Sequence, residues 1–291
     1  MRVTQNQRTS SSLRDIQSAA QQLSTLEEQV SSGTRIRRPS DDPIVAGRLL
    51  TLDAEQGRLE NSERMGQLLG AELEVADSAL QALSAALARA RALGVAGGSD
   101  ALNSTDRASL AVEVDGILQE ALGLSNRTLD GRSIFAGGQT NLSPYELQAG
   151  PPQLASYAGD GLTRSVAVGD ILISATPAGP EPMTAALNSL IALRDALRTD
   201  ASSTRAALDG IDSAHEGTTL SLAKVGTRQG LLQRVDDEVD VRILRLLELR
   251  SELADVDLSE AIVSLREHQV AYERGLQVVA RILQVSILSY L

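Results

Sequence analysis

The chain reads as a mainly α protein: an elongated antiparallel helical bundle or coiled coil formed by N- and C-terminal arms, with a small β-rich insertion between them. Three observations carry this. The 291 residues include five aromatics and no tryptophan, so burial rests on thin aliphatic seams and not on rings that each hide about 150–250 Å². Residues 44–143 and 183–291 contain no proline, while six of the eight prolines lie between Pro144 and Pro182. Helix interiors exclude proline because it lacks an N–H and clashes with the preceding turn. Apolar residues also recur at intervals of three and four along both arms.

The first arm opens with Leu13, Ile16, Ala20, Leu23, Leu26 and Val30 on one helical face, and Ser31-Ser32-Gly33 stops it. A second helix starts at Asp42-Pro43, where the carboxylate suits an N-cap and proline suits the first helical position. Its seam, Leu69, Leu73, Ala76, Leu80, Leu83, Leu87 and Ala90, keeps a strict heptad, and Gly97-Gly98 ends it. A third helix from near Ser104 carries Leu110, Val114, Ile117, Ala121 and Leu124, and closes before an Asp130-Gly131 turn.

The period then changes. Val166 and Val168 alternate, as do Ile171 and Ile173, around a Gly169-Asp170 hairpin signal. Residues 141–182 are therefore expected to form a small β-rich, outward-facing insertion whose backbone bonds close within it. A short helix follows over roughly 183–197 and a long one from about 203, with Leu208, Ile211, His215, Thr218, Leu222 and Val225 as its seam. The last helix starts at Asp257, with Glu260 in a capping-box position. Its heptad reads Leu258, Ile262, Leu265, Gln269, Tyr272, Leu276, Val279, Leu283, Ser286 and Tyr290. The expected division is a terminal helical domain for assembly (1–42 with 255–291), a helical rod (43–140 with 183–254) and the insertion.

The end of the last helix is the most informative stretch. From 276 to 291, 11 of 16 residues are apolar, Arg281 is the only charge, and they point around the whole circumference. A single partner helix covers only a stripe. The run is also shorter and more polar than the ~20 apolar residues of a membrane span, so no membrane insertion is expected. Packing among several copies is the favoured reading. The residues expected at that interface are Leu13, Ile16, Leu23, Leu26, Val30, Leu265, Tyr272, Leu276, Val279, Leu283, Ile287 and Leu291.

Charge and motifs exclude several function classes. A net charge of −11 opposes nucleic-acid binding, which needs a basic face to displace counterions. Without cysteine there are no disulfides, thiolate metal sites or cysteine nucleophiles. Residues 1–12 hold no apolar leader core, so a secreted chain is expected to leave without a cleaved signal peptide. Ser221-Leu-Ala-Lys224 matches Ser-x-x-Lys by chance, since no Ser-Asp-Asn or Lys-Thr-Gly accompanies it and Leu222 belongs to a seam. His215 and His268 lack ligand spacing, and His215 is read as a satisfied interior or interface histidine. Asp41 and Asp42, next to Arg35, Arg37 and Arg38, read as caps with local ion pairing. No enzyme, cofactor or metal site is expected.

Three stretches resemble a known family. Residues 31–50, Ser-Ser-Gly-Thr-Arg-Ile-Arg-Arg-Pro-Ser-Asp-Asp-Pro-Ile-Val-Ala-Gly-Arg-Leu-Leu, look like the N-terminal segment of bacterial flagellins and their relatives. Residues 126–137, Asn-Arg-Thr-Leu-Asp-Gly-Arg-Ser-Ile-Phe-Ala-Gly, resemble the segment that closes the family's N-terminal helical region. Residues 255–291 resemble its terminal helix. The turn Arg38, Pro39, Ser40, Asp41, Asp42, Pro43 resembles the hook–filament junction branch more than the filament branch, as do Tyr157-Ala-Gly-Asp-Gly161 and Val225-Gly-Thr-Arg-Gln229.

The resemblance implies a structural component of the flagellum that links the hook-side junction protein to the flagellin filament by helical self-assembly. It also implies export unfolded through the flagellar type III channel, an extracellular location at the junction, and terminal helices forming an inner tube. The implied partners are other copies of itself in a ring, the hook-side junction protein, flagellin and an export chaperone. A filament subunit is the alternative, with a coiled-coil scaffold or chaperone behind it.

Overall fold

The computed structural model describes residues 2–148, 150, 152–175 and 181–288, with side chains described for residue 7 and from 10 to 281. Its helices are α1 (Arg2–Ser32), α2 (Pro43–Gly97), α3 (Ser104–Ser125), α4 (Met183–Thr199), α5 (Ala201–Ala254) and α6 (Leu258–Leu288). Short strands pair into three separate antiparallel two-stranded sheets: β1 (Thr128–Leu129) with β2 (Arg132–Ser133), β3 (Tyr145–Gln148) with β4 (Leu154–Tyr157), and β5 (Ser165–Val168) with β6 (Ile171–Ser174). The fold is mainly α with a small β insertion, as the sequence predicts.

The helix starts are set by side chains that accept orphan backbone N–H groups. Asp42 Oδ1 accepts from the N–H groups of Ile44 and Val45, both at 3.1 Å. Asn103 Oδ1 accepts from Asp106 at 2.8 Å, and Asp257 Oδ1 accepts from Ser259 and Glu260 at 2.9 and 3.2 Å. Asp200 caps α5 by accepting from Ser203 N–H at 2.7 Å, and this bond, helped by the Ser202 hydroxyl, lowers its carboxyl pKa to about 2. The α4–α5 break therefore falls at Asp200, a few residues earlier than the expected 203. The capping carboxylate fixes it there.

The chain divides into two compact units, residues 58–242 and residues 1–57 with 243–291. In the 58–242 unit, α2 and α5 run antiparallel, with Arg91 Nε 2.6 Å from Asp212 Oδ1. Every residue of the expected α2 heptad from Leu69 to Ala90 is buried. On α5 the buried line is Ile211, Ala214, Thr218, Ser221, Val225, Leu232, Val235 and Val239. Small Ala214 and Ser221 thus take inner positions that the heptad assigned to His215 and Leu222. Glycines permit the close approach: a Cβ on Gly94 would lie 2.7 Å from Leu208 Cδ2, and one on Gly66 would lie 2.5 Å from Asp236 Oδ1. His215 is half-buried and its Nδ1 makes no hydrogen bond, so it is not the satisfied histidine expected.

The β segments are seated on the helices. At β1–β2, Asp130 and Gly131 both adopt positive φ, at 49° and 75°, the turn that matches the strands' twist. Asn126, which caps α3, binds both backbone groups of Tyr145: its Nδ2 donates to the carbonyl at 2.8 Å and its Oδ1 accepts from the N–H at 3.0 Å. Tyr145 is buried against Tyr157, with ring centroids 5.2 Å apart. Arg194, buried on α4, reaches Asp115 of α3 at 3.1 Å and Gln153 at 2.8 Å.

At the β5–β6 tip, Gly169 takes φ +60° in a two-residue turn. Its N–H donates to Ser62 Oγ of α2, and Val235 of α5 packs beneath it. The strands do pair within the insertion, but Tyr145, Val168, Ile173 and Ala175 are buried. The ladder bonds close within the insertion as expected, while the side chains of its inner face are core residues of the helical unit, a seat the sequence reading does not include.

Candidate assembly surface

In the unit formed by 1–57 and 243–291, α1 and α6 pair antiparallel. Their register is fixed where α1 ends. Thr34 and Asp255 form a β-bridge, Arg35 N–H donates to the Ala254 carbonyl at 2.6 Å, and Val256 N–H donates to Gly33 at 3.0 Å. Gly33 adopts φ +71° to make this turn. Arg35 Nη2 adds a bond to the Leu253 carbonyl at 3.1 Å. From this anchor the helices run apart in sequence, bringing Ile16 of α1 opposite Tyr272, Gly275 and Val279 of α6.

The inner line of α6 is Ala261, Leu265, His268, Tyr272, Gly275 and Val279, each buried or half-buried. Leu265, Tyr272 and Val279 were expected on a seam. Leu258, Ile262 and Leu276 were too, but are 48%, 41% and 44% exposed. They fall within about 40° of one another at 100° per residue, forming an apolar flank that α1 leaves open. Val263, Val270 and Val278 are exposed as well, but lie about 120–200° around the helix from that flank. On α1, Ile16, Leu23, Leu26 and Val30 are half-buried and Leu13 is 48% exposed. Leu283 and Ile287 belong to α6 with side chains outside the described set, and Leu291 lies outside the described residues.

The turn after α1 is held by its acids. Asp41 Oδ2 accepts from the N–H groups of Arg37 and Arg38 at 3.1 and 2.9 Å, and Asp41 N–H donates back to the Arg38 carbonyl at 2.9 Å. The bonds from Arg38 and Arg37 hold the Asp41 carboxyl below the usual range, with the two guanidinium charges adding to them. Arg37 pairs with Glu28 at 3.2 Å. Pro39 and Ser40 are exposed at the tip, and Asp42 and Pro43 start α2. Asp41 and Asp42 thus act as a turn lock and a helix cap.

Among the described residues no group of three His, Cys, Asp or Glu side chains could hold a metal ion, and no helix is long and apolar enough to cross a membrane. Ser221 Oγ donates to the Gly217 carbonyl at 3.0 Å, an ordinary helical bond.

Known proteins share this architecture. A putative flagellar hook-associated protein from Vibrio parahaemolyticus aligns with TM-score 0.68 at 19% identity, over 74% of this chain and all of its own. FlgL of Bacillus cereus aligns with TM-score 0.61 at 18% identity, over 69% of this chain and 99% of its own. By sequence, flagellar hook-associated protein 3 of Escherichia coli is 27% identical over 274 residues, 84% of this chain and 86% of that protein. The Salmonella typhimurium protein of the same name is 33% identical over 126 residues, 43% of this chain and 40% of its own length. Residues 3–140 match the bacterial flagellin N-terminal helical region and residues 208–291 match the C-terminal helical region. The two matches take in α1 and α6, the paired helices that carry the open apolar flank, and the chain belongs to the bacterial flagellin family.

Proposed function

We infer that the chain is a structural component of the bacterial flagellum, a hook–filament junction protein that links the hook-side junction protein to flagellin by helical self-assembly. The observation that carries this is the apolar flank of α6, Leu258, Ile262 and Leu276, left open by α1 in a protein whose relatives along most of its length are named flagellar hook-associated protein 3. Large apolar side chains left exposed along one helix face are the kind of surface that a partner covers. The terminal helices supply the subunit contacts, a ring of copies forms the junction, and both hook-side protein and filament dock on it. The chain is exported to the outside of the cell, and an export chaperone covers the flank before assembly.

The test is complementation. Expressed in a motile bacterium that lacks its own hook–filament junction protein, the chain restores filament attachment and swimming. If instead it forms long filaments by itself and leaves the hook bare of flagellin, it is a filament subunit and the junction assignment is wrong.

A further inference from the structure

A polar groove of about 390 Å³ lies between α1 and the turn that follows it, lined among others by Gln21, Thr25, Glu28, Arg35, Arg37 and Arg38. Its charges are unevenly used. Glu28 is taken by Arg37, Asp41 is taken by two backbone N–H groups, and Arg35 is turned toward the Leu253 carbonyl. Arg38 is exposed, and while its backbone is bonded to Asp41, its guanidinium meets no hydrogen-bond or ion-pair partner at contact distance among the described residues. Three guanidinium groups and two committed carboxylates leave the groove electropositive on a chain whose net charge is −11. Guanidinium forks select carboxylate or phosphate partners.

The compensating charge lies elsewhere on the same chain. The 58–242 unit holds 24 acidic and 15 basic residues. On its α2–α5 face, among the described residues, Glu63 and Asp237 bond to the neutral amides of Gln67 and Gln233 and to no cation, and Asp240 makes no ion pair. Asp237 and Asp240 are exposed. Burial and the charges of Asp240, Asp237 and Glu63 together raise the pKa of Asp236 beside them, as expected of carboxylates crowded without a cation. We propose that the Arg38 groove is an ion-pairing socket for the acidic α5 surface, around Asp237 and Asp240, of a second copy of this chain. With each copy giving its groove to one neighbour and its acidic surface to another, the contact is heterologous and head-to-tail. Such contacts build rings or helices and not closed dimers. The inference rests on the self-assembly reading above and names the polar contact that sets its direction.

The experiment uses two full-length variants, Arg38→Glu and the double variant Asp237→Arg with Asp240→Arg, followed by sedimentation velocity at low salt. Wild type assembles, and raising salt from 50 to 500 mM weakens it. Each variant alone keeps its helical circular dichroism but assembles at least tenfold more weakly. A 1:1 mixture of the two recovers assembly, because every groove then meets a surface of opposite charge. Wild-type-like assembly by Arg38→Glu, or two folded variants that fail to rescue each other, overturns the socket while leaving the self-assembly reading intact. Wild type that stays monomeric at every concentration and salt overturns both.

Discussion

Arg242 Nη1 on α5 lies 2.8 Å from Asp170 Oδ2 at the tip of the β5–β6 hairpin, 72 residues earlier in the chain. Asp170 Oδ1 also faces Arg58 of α2 at 3.4 Å. One carboxylate therefore ties the hairpin tip to two antiparallel helices. The bonds from Arg242, then Arg58, hold the Asp170 carboxyl below its usual range. For a carboxylate depressed in the folded state, the stabilisation is present above the unfolded pKa and is lost as pH falls through the folded one.

The first prediction follows directly. Asp170→Asn speeds amide hydrogen exchange over 165–174 at neutral pH and leaves the helical content unchanged. The difference from wild type shrinks at acid pH, below the ordinary carboxylate range, where wild type has itself lost the charge. Equal exchange at neutral pH would show that the pairs hold nothing in place. All three groups are exposed, so a small effect on global melting is expected.

Asp236 predicts the opposite pH behaviour. Its Oδ1 is buried beside Gly66 without a hydrogen bond, and burial is the main cause that raises its pKa, with Asp240, Asp237 and Glu63 adding to it. The folded state then disfavours the charged form, so the cost is full above the folded pKa and fades as pH falls through it. Asp236→Asn should raise the melting temperature at pH 7, with the gain declining on acidification. A variant less stable than wild type at pH 7 would mean that the carboxylate makes a contact the asparagine cannot replace.

Two leucines separate folding from assembly. Leu83 is fully buried on α2 and Leu276 is 44% exposed on α6. Leu83→Ala should cost about 2–5 kcal/mol of stability by denaturant unfolding. Leu276→Ala should stay within about 0.5 kcal/mol yet reduce filament attachment in the complementation assay. A large stability loss for Leu276→Ala would place it in an intrachain core and remove it from the assembly surface.

Much of the helical frame is legible in the sequence because it depends on local signals. Asp42 and Asp257 cap where spacing and residue type allow, and the α2 seam is uniform leucine and alanine. The Gly169-Asp170 hairpin is legible for the same reason. The α5 and α6 seams are harder to place. Heptad counting puts Leu222 and Leu276 inward because they are large, whereas close helix approach selects the small neighbours Ser221 and Gly275. The β3–β4 pair lies in the expected β-rich 141–182 stretch but carries no strand signal of its own, because Tyr145, its buried member, is fixed by Asn126 from 19 residues away. The Arg38 groove has no local signal either: in sequence Arg35, Arg37 and Arg38 read as local ion pairing, and only the fold commits Glu28 to Arg37 and Asp41 to backbone N–H groups.

Glycine supplies the last prediction, since two positions with the same residue should respond in opposite directions. Gly159 follows β4 (Leu154–Tyr157), and a Cβ there would meet the Tyr157 ring and hydroxyl and would lie 2.7 Å from the Ala136 carbonyl oxygen. That oxygen belongs to backbone in the buried run Ile134, Phe135, Ala136, so it cannot swing aside as a side-chain tip can. The intruding methyl also displaces the Tyr157 hydroxyl, which donates to the Phe135 carbonyl at 3.2 Å. Overpacking of this kind typically costs about 1–3 kcal/mol, and Gly159→Ala should lose that much in denaturant unfolding. Gly116 lies inside α3 on an exposed face, and nothing stands within 4 Å of where its Cβ would be. There the methyl meets no neighbour and only narrows the unfolded ensemble, so Gly116→Ala should gain about 0.4–1 kcal/mol. Equal effects at the two sites would mean that the 157–159 segment does not lie against the buried run, and that the β3–β4 pair is seated differently.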